Sequence, residues 1–222
     1  MRAGNVDYNR PRDLPPQIPV FPLAGALLLP RGQIPLNIFE PRYLAMVEDV
    51  LPGNRIIGMI QPERDEDADG RPLLRAVGCA GRLTGFAESG DGRLLITLTG
   101  IARFRVLEEV DMPTPYRVCR ITTEPFLEDF VDRAGEDDVD RESLLDVVRA
   151  YLDAHNLQAD WESIDSATTE ALVNGIAMMS PYGPAEKQAL LEAPNLKVRA
   201  ETLVALTEVA LAREAAPGRS LQ

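Results

Sequence analysis

The chain's one histidine, His155, follows Ser143 by twelve residues, and a histidine near a hydroxyl or thiol is a common pairing for nucleophilic catalysis. Both residues fall in one predicted helix, where twelve residues span about 18 Å, so their side chains do not meet. His155 is read instead as a helix-end residue favoured by the dipole. Cys79 and Cys119 stand 40 residues apart with no CxxC pair, and with one histidine they cannot assemble a four-ligand zinc site. Both lie in predicted strands without a local base and read as small buried hydrophobes; a disulfide between neighbouring strands stays open at this stage. Asp65, Asp67, Asp69 and Gly70 match the first half of a calcium loop, in which alternating carboxylates face one cation and glycine permits the turn. The bidentate glutamate that should close such a loop would be residue 76, which is Ala76, and the flanks read as strands. Neither a metal nor a cofactor is expected. Phe39, Glu40, Arg42 and Tyr43 surround Pro41 at a predicted helix start. They form either an exposed recognition surface with aromatic contact area, or a structural corner in which Glu40 favours the helix end, Arg42 pairs with an acid and Phe39 fills the core.

The totals narrow the partners. The 222 residues carry 23 basic and 35 acidic side chains, a net charge of -12, which disfavours a phosphate backbone or an anionic membrane unless arginines cluster on one face. Arg82, Arg93, Arg103, Arg105, Arg117 and Arg120 are the residues available for such a cluster. Between Leu14 and Pro30 the chain is uncharged for 17 residues but holds five prolines, too many for a spanning helix. A secretory signal fits no better, because a polar, proline-rich stretch precedes the apolar one. The cytoplasm, with reduced thiols, is therefore the expected compartment.

The elements that must position these residues follow from apolar period and breakers. Residues 1–17 and 215–222 lack such a period and are expected to be flexible tails. From 18 to 126, short apolar runs divided by Gly, Pro and Asp predict a β-rich domain. Gly90, Asp91 and Gly92 mark a turn before a strand in which Leu94, Ile96 and Leu98 share one face. Ala102, Phe104 and Val106 then alternate with Arg103 and Arg105, predicting a core face and arginines in solvent. Pro41 suits a first helical position, with Leu44, Val47 and Leu51 following and Pro52 and Gly53 ending the helix. An acidic stretch over 127–140 reads as a linker. Beyond it, over 141–214, helices are predicted at about 140–155, 166–179, 184–192 and 196–214, with Pro184 and Asn195 as starters, forming a helical bundle.

The ordered segments IPVFPL, LLLPRGQIPLNIFEPRY, RIIGMIQ, VGCAGRL, DGRLLITLTGIARFRV and PYRV resemble the amino-terminal, substrate-binding domain of Lon proteases, and the FEPRY variant looks like its stand-alone bacterial members. The resemblance covers about Ile18 to Val118. It implies an α+β protein, with a PUA-like pseudo-barrel of strands and one inserted helix followed by the α-helical bundle. It implies further a non-enzymatic module that binds exposed apolar segments of unfolded polypeptides in a groove between the two parts, with a separate ATPase or protease as a possible partner. No GxxxxGK[ST] occurs, and Lys187 and Lys197, the only lysines, carry no peptidase motif. An RNA-binding or nucleotide-binding role is the rival that PUA-like folds suggest, and a cryptic hydrolase is a third reading.

Overall fold

The structure, a computed structural model, describes residues 1–67 and 70–215. Asp69 and residues 216–222 of the expected tail lie outside the described residues. In chain order the elements are β1 (Arg2–Ala3), β2 (Val6–Asp7), β3 (Gln17–Pro22), β4 (Gln33–Ile38), α1 (Pro41–Val50), β5 (Ile56–Glu66), β6 (Pro72–Glu88), β7 (Leu94–Val110) and β8 (Arg117–Thr122). Two 3-10 segments, Glu124–Phe130 and Glu136–Asp138, lead into α2 (Arg141–Ala154), α3 (Trp161–Ser166), α4 (Thr169–Met179), α5 (Pro184–Glu192) and α6 (Leu196–Ala215). The architecture is α+β, a mixed sheet followed by a helical bundle.

The sheet runs β4-β7-β6-β5-β3-β8, and β8 also pairs with the second half of β7. The hydrogen-bond ladder thus returns on itself through five strands, while β4 branches from the first half of β7 through Gln33↔Thr99 to Ile38↔Leu94. Only β3 and β5 are parallel; the remaining pairs in this sheet are antiparallel. Both faces are buried along the first half of β5 and the middle of β6 and β7, which is why β5 reads Ile56-Ile57-Gly58-Met59-Ile60 without alternation. Ile56, Ile60, Val20, Ala80, Phe104 and Cys119 form one core. Ile57, Met59, Cys79, Leu83 and Leu98 form a second, continuous with Met46 of α1 and with Leu172, Leu190 and Leu203 of the bundle. Phe104 occupies the space that a Cβ at Gly58 or Gly78 would enter, 3.0 and 2.5 Å from its ring atoms. Side chains at those positions are excluded by the ring, so the two glycines are packing residues.

Three expectations are corrected here. Arg103, assigned to solvent by alternation, is 2% exposed. Alternation presumes a wet outer face, and here the bundle covers that face. The charge is met by Asp129, which bonds Arg103 Nε at 2.9 Å and Nη2 at 2.8 Å, while Arg103 Nη1 donates to the carbonyls of Leu191 and Ala193. The stretch read as an acidic linker, 127–140, supplies Asp129 and buries Phe130 and Glu136; these are buried residues too sparsely spaced to give a period. Residues 1–17, read as a tail, instead form β1, β2 and a 3-10 turn, with Ala3, Tyr8 and Leu14 in the first core and the Tyr8 hydroxyl accepting from Arg82 Nη1 at 3.2 Å.

The remaining sheet-to-bundle junction is bridged by polar side chains. Gln61 donates to Gln188 Oε1 at 3.1 Å and to the Pro184 carbonyl at 3.0 Å, Gln188 donates to the Val77 carbonyl at 3.2 Å, and Asn174 donates to the Pro30 carbonyl at 3.2 Å. Arg199 of α6 holds Asn174 Oδ1 at 2.9 Å and the Leu190 carbonyl at 3.0 Å. Burial, helped by repulsion from Arg103, lowers its guanidinium pKa to about 10, so it stays charged at neutral pH. Among the described residues these hydrogen-bonded side chains and the second core occupy part of the junction that the resemblance assigns to a polypeptide groove. Asp129→Ala, which leaves the Arg103 charge buried and unpaired, is expected to cost about 3–5 kcal/mol. The same change at the exposed Arg120–Glu108 pair, Glu108→Ala, is expected to cost under about 1 kcal/mol. Urea unfolding of the two variants checks both.

Candidate functional site

α1 begins where the sequence places it. Pro41 occupies a first-turn position and the Glu40 carbonyl accepts from the Tyr43 and Leu44 amides. The four residues at this corner then go separate ways. Phe39 is 60% exposed, with the Arg93 guanidinium 5.8 Å from its ring centre. Glu40 does not cap the helix with its side chain; its carboxylate takes Arg42 Nη2 at 2.8 Å. Arg42 also lies 4.5 Å over the Tyr43 ring. Tyr43 is buried, edge-on to Phe21 at 4.3 Å, and burial raises the pKa of its hydroxyl. Phe39 therefore does not fill the core, as the structural reading of the corner had it, and Tyr43 is packed and not presented.

Two apolar depressions adjoin β4 at this corner. One, of about 210 Å³, is lined by Phe21, Leu23, Leu36, Ile38, Phe39 and Tyr43. The other, of about 430 Å³, is lined by Pro35, Asn37, Gly85, Ala87, Leu95 and Thr97. Leu95 is 48% exposed, and Leu23 and Phe86 are exposed beside them. β4 pairs with β7 alone, so its opposite edge has no strand against it, and Pro35, which has no amide to give, is tolerable there for that reason. Sequence reasoning missed Leu23, Phe86 and Leu95. The signal was present for Leu95, which falls out of phase with Leu94, Ile96 and Leu98 and is thereby turned to the other face.

A larger cavity, of about 730 Å³, lies on the far side of Arg42 and Tyr43, with Arg71, Glu109, Tyr116 and Arg117 in its wall. Its cations are already matched: Arg117 bonds Glu109 and the Pro72 carbonyl, Arg71 bonds Asp67 at 3.0 Å, and the Tyr116 hydroxyl donates to Asp49 at 2.7 Å. The pair of depressions beside β4 is smaller and lined mainly by apolar side chains.

The other residues singled out from sequence are not brought together. Ser143 lies on α2, whose cap is Asp140, accepting from the Ser143 amide at 3.0 Å; His155 ends the helix, stacked on Tyr151 at 4.1 Å with its Nδ1 2.8 Å from the Tyr151 carbonyl. Among the described residues no group of three or more His, Cys, Asp or Glu is placed to hold a metal ion. Asp67 turns its carboxylate to Arg71, and Asp69, the next carboxylate of the calcium reading, lies outside the described residues. Cys79 and Cys119 are free and buried, on β6 and β8. Burial raises both thiol pKa values, that of Cys119 to about 11. Of the six arginines named for a nucleic-acid face, Arg105 is exposed on β7. Arg82 and Arg103 are buried, and Arg93, Arg117 and Arg120 are paired with Asp91, Glu109 and Glu108. No helix among the described residues is long and apolar enough to cross a membrane.

A sheet with one open apolar edge, backed by a helical bundle, defines a module built for contact. The profile of the ATP-dependent protease La (LON) substrate-binding domain matches residues 17–208, and the chain belongs to that family. It corresponds to the non-catalytic, substrate-binding module of those proteins, as distinct from their ATPase and peptidase domains. It is 29% identical over 202 residues to the Lon protease of Anaeromyxobacter dehalogenans, covering 87% of this chain and 23% of that protein. To Lon protease 2 of Myxococcus xanthus it is 27% identical, covering 87% and 24%. The chain thus spans about a quarter of the length of these relatives. Among solved structures it is similar in fold to a Lon N-terminal domain protein from Xanthomonas campestris, with TM-score 0.60, 23% identity and coverage of 85% of this chain and 97% of the other. It is also similar to the N-terminal domain of a Mycobacterium avium complex Lon protease, with TM-score 0.64, 18% identity and coverage of 86% and 98%.

Because burial disfavours the thiolate, Ellman's reagent at pH 8 is expected to leave both cysteines untouched in the native protein and to titrate two thiols in guanidinium. Phe39→Ala, at an exposed position, is expected to change unfolding free energy by no more than about 0.5 kcal/mol, as checked in the same urea titration.

Proposed function

We propose that the chain is a polypeptide-binding module of the protein quality-control machinery. It recognises exposed apolar segments of unfolded proteins along the free edge of β4, beside Phe39, Leu23 and Leu95. The single observation that carries this reading is a strand with one unpaired edge set between two apolar depressions. Backbone groups of an extended ligand supply sequence-independent hydrogen bonds to such an edge on either side of Pro35, which has no amide to offer, and the depressions take its side chains. The site then sits on the sheet and not in the junction with the bundle.

The self-returning ladder supports describing residues 18–126 as a PUA-like pseudo-barrel domain, with the bundle of 141–214 as its support. In this reading Arg42 and Glu40 hold the corner, Tyr43 anchors it in the core and Phe39 makes contact. The length and names of the relatives suggest that the bound polypeptide is passed to an ATPase and a protease. Such a module needs only modest affinity, since a ligand bound too tightly is not handed on.

The test is binding of unfolded, reduced and alkylated casein against native folded proteins of similar charge, followed by fluorescence anisotropy. Casein is expected to bind at tens of micromolar or tighter and the folded proteins not at all. Phe39→Asp, which puts a charge in the depression, is expected to weaken casein binding at least about tenfold without loss of the fold by circular dichroism. Equal binding of folded and unfolded proteins, or an unaffected Phe39→Asp variant, overturns the reading.

A further inference from the structure

At one end of the ring its five strands converge on one space. Pro22 closes β3, Pro72 opens β6, Val110 closes β7 and Arg117 opens β8, while β5 passes at Pro62, where its register with β6 shifts. All five residues line the cavity of about 730 Å³, which is therefore the mouth of the ring. The open end of a closed ladder is a recurrent place for small-ligand sites, whose volumes run from about 300 to 1,000 Å³. Arg117 fixes the shape of this one. It bonds Glu109 of β7 and the Pro72 carbonyl of β6, tying three strand ends together before any ligand arrives.

Two donors in this wall are unspent. Tyr43 is 6% exposed, and its hydroxyl makes no hydrogen bond among the described residues. Burial raises its pKa, and Arg42, Glu40 and Arg117 are the charged groups that act on it, so at neutral pH it is a protonated donor on the Arg117 side, at the cavity. Arg42 gives Nε and Nη2 to one oxygen of Glu40, at 3.0 and 2.8 Å, and its Nη1 makes no hydrogen bond among the described residues. That ion pair is about half exposed on both sides, where it adds little stability, so a ligand can share the guanidinium at small cost. The guanidinium lies 4.5 Å over the Tyr43 ring, which makes the two donors neighbours. Both belong to the first turn of α1, which holds no acidic residue of its own to meet the positive end of the helix dipole.

The other side of the mouth is less polar. Tyr116, its hydroxyl tied to Asp49 at 2.7 Å, offers its ring beside the exposed Met112. The net charge of -12 and Asp111 on the lip work against a second negative charge on a ligand. We infer that the mouth of the ring is a binding site, separate from the edge of β4, for a single carboxylate on an apolar or aromatic body. The Tyr43 hydroxyl and Arg42 Nη1 take the carboxylate, and Tyr116 and Met112 take the body. The last residue of a polypeptide and a free aromatic acid both carry this chemistry.

The experiment titrates the full chain with two pairs of probes. N-acetyl-phenylalanine and its amide are followed by calorimetry; a short peptide ending in phenylalanine, labelled at its amino end and either free or amidated at its carboxyl end, is followed by fluorescence anisotropy. At least one acid is expected to bind at least about tenfold tighter than its amide, the worth of a charge-assisted hydrogen bond. Tyr43→Phe removes only the hydroxyl and is expected to weaken that acid about tenfold with no fall in the urea midpoint, because the hydroxyl has no partner to lose within the protein. A residue that served packing alone would leave binding unchanged. Arg42→Gln, at an exposed position, is expected to weaken the acid by a similar factor and the amide hardly at all. Binding of N-acetyl-phenylalanine supports the site with a free acid as sufficient ligand, and binding of the peptide acid alone supports it with a chain terminus as ligand. Equal affinity of acids and amides, no saturable binding of either acid, displacement of the bound acid by inorganic phosphate, or unchanged affinity in Tyr43→Phe overturns the inference.

Discussion

Arg103 is a full positive charge placed in the middle of a 17-residue interior strand, under a layer of helices. Taking it out of water is affordable only because Asp129 meets it with two oxygens and two carbonyls at the end of α5 take the remaining donors. That requirement fixes relations that apolar packing leaves loose. The 3-10 segment after β8 must lie across β7, Phe126 must sit under the guanidinium, 4.6 Å from it, and α5 must end where its carbonyls face the sheet. Apolar contacts tolerate sliding by an ångström, whereas bidentate hydrogen bonds do not. The second core can then run without a break from α1 to α6, because the register between sheet and bundle has been set.

With the ring ladder closed and the bundle fixed, β4 becomes the place where the fold leaves backbone unpaired. It branches from β7 instead of joining the ring, and the corner that follows it is held by Pro41 and the Glu40–Arg42 pair. Rigidity elsewhere serves this edge. On the proposed reading a ligand strand would meet a pre-formed edge whose Leu36 and Ile38 are already packed in the core, so that little conformational freedom would be lost on the protein's side. The exposed Phe39 is affordable at such a corner because its neighbours hold the backbone in place without it.

Much of this was legible from residues. Pro41 and the Pro52-Gly53 stop bounded α1, the Gly90-Asp91-Gly92 turn opened β7, and Pro184 and Asn195 started α5 and α6, the latter by accepting from the Val198 amide at 2.9 Å. These are local effects, in which the residue type acts on its own backbone. The unreadable parts were non-local. The burial of Arg103 depends on a carboxylate 26 residues away and on a bundle that no strand period announces. The packing of Tyr8 and Leu14 rests on isolated anchors, and α3, absent from the expectation, is six residues long with no apolar stripe to betray it. At the site, sequence marked Phe39 and Tyr43 alike, since only packing against Phe21 separates the aromatic that faces the core from the one that faces solvent.

Ring closure also sets a clock. Ile18 of β3 is paired with Cys119 of β8, so the last gap in the ladder closes only after about a hundred further residues have been made, about 5–20 s at about 5–20 residues per second on the ribosome. Throughout that interval β3, an apolar strand, has one edge waiting for a partner not yet synthesised. A protein proposed to clasp the unfinished strands of others is thus, during its own synthesis, a chain with an unfinished strand.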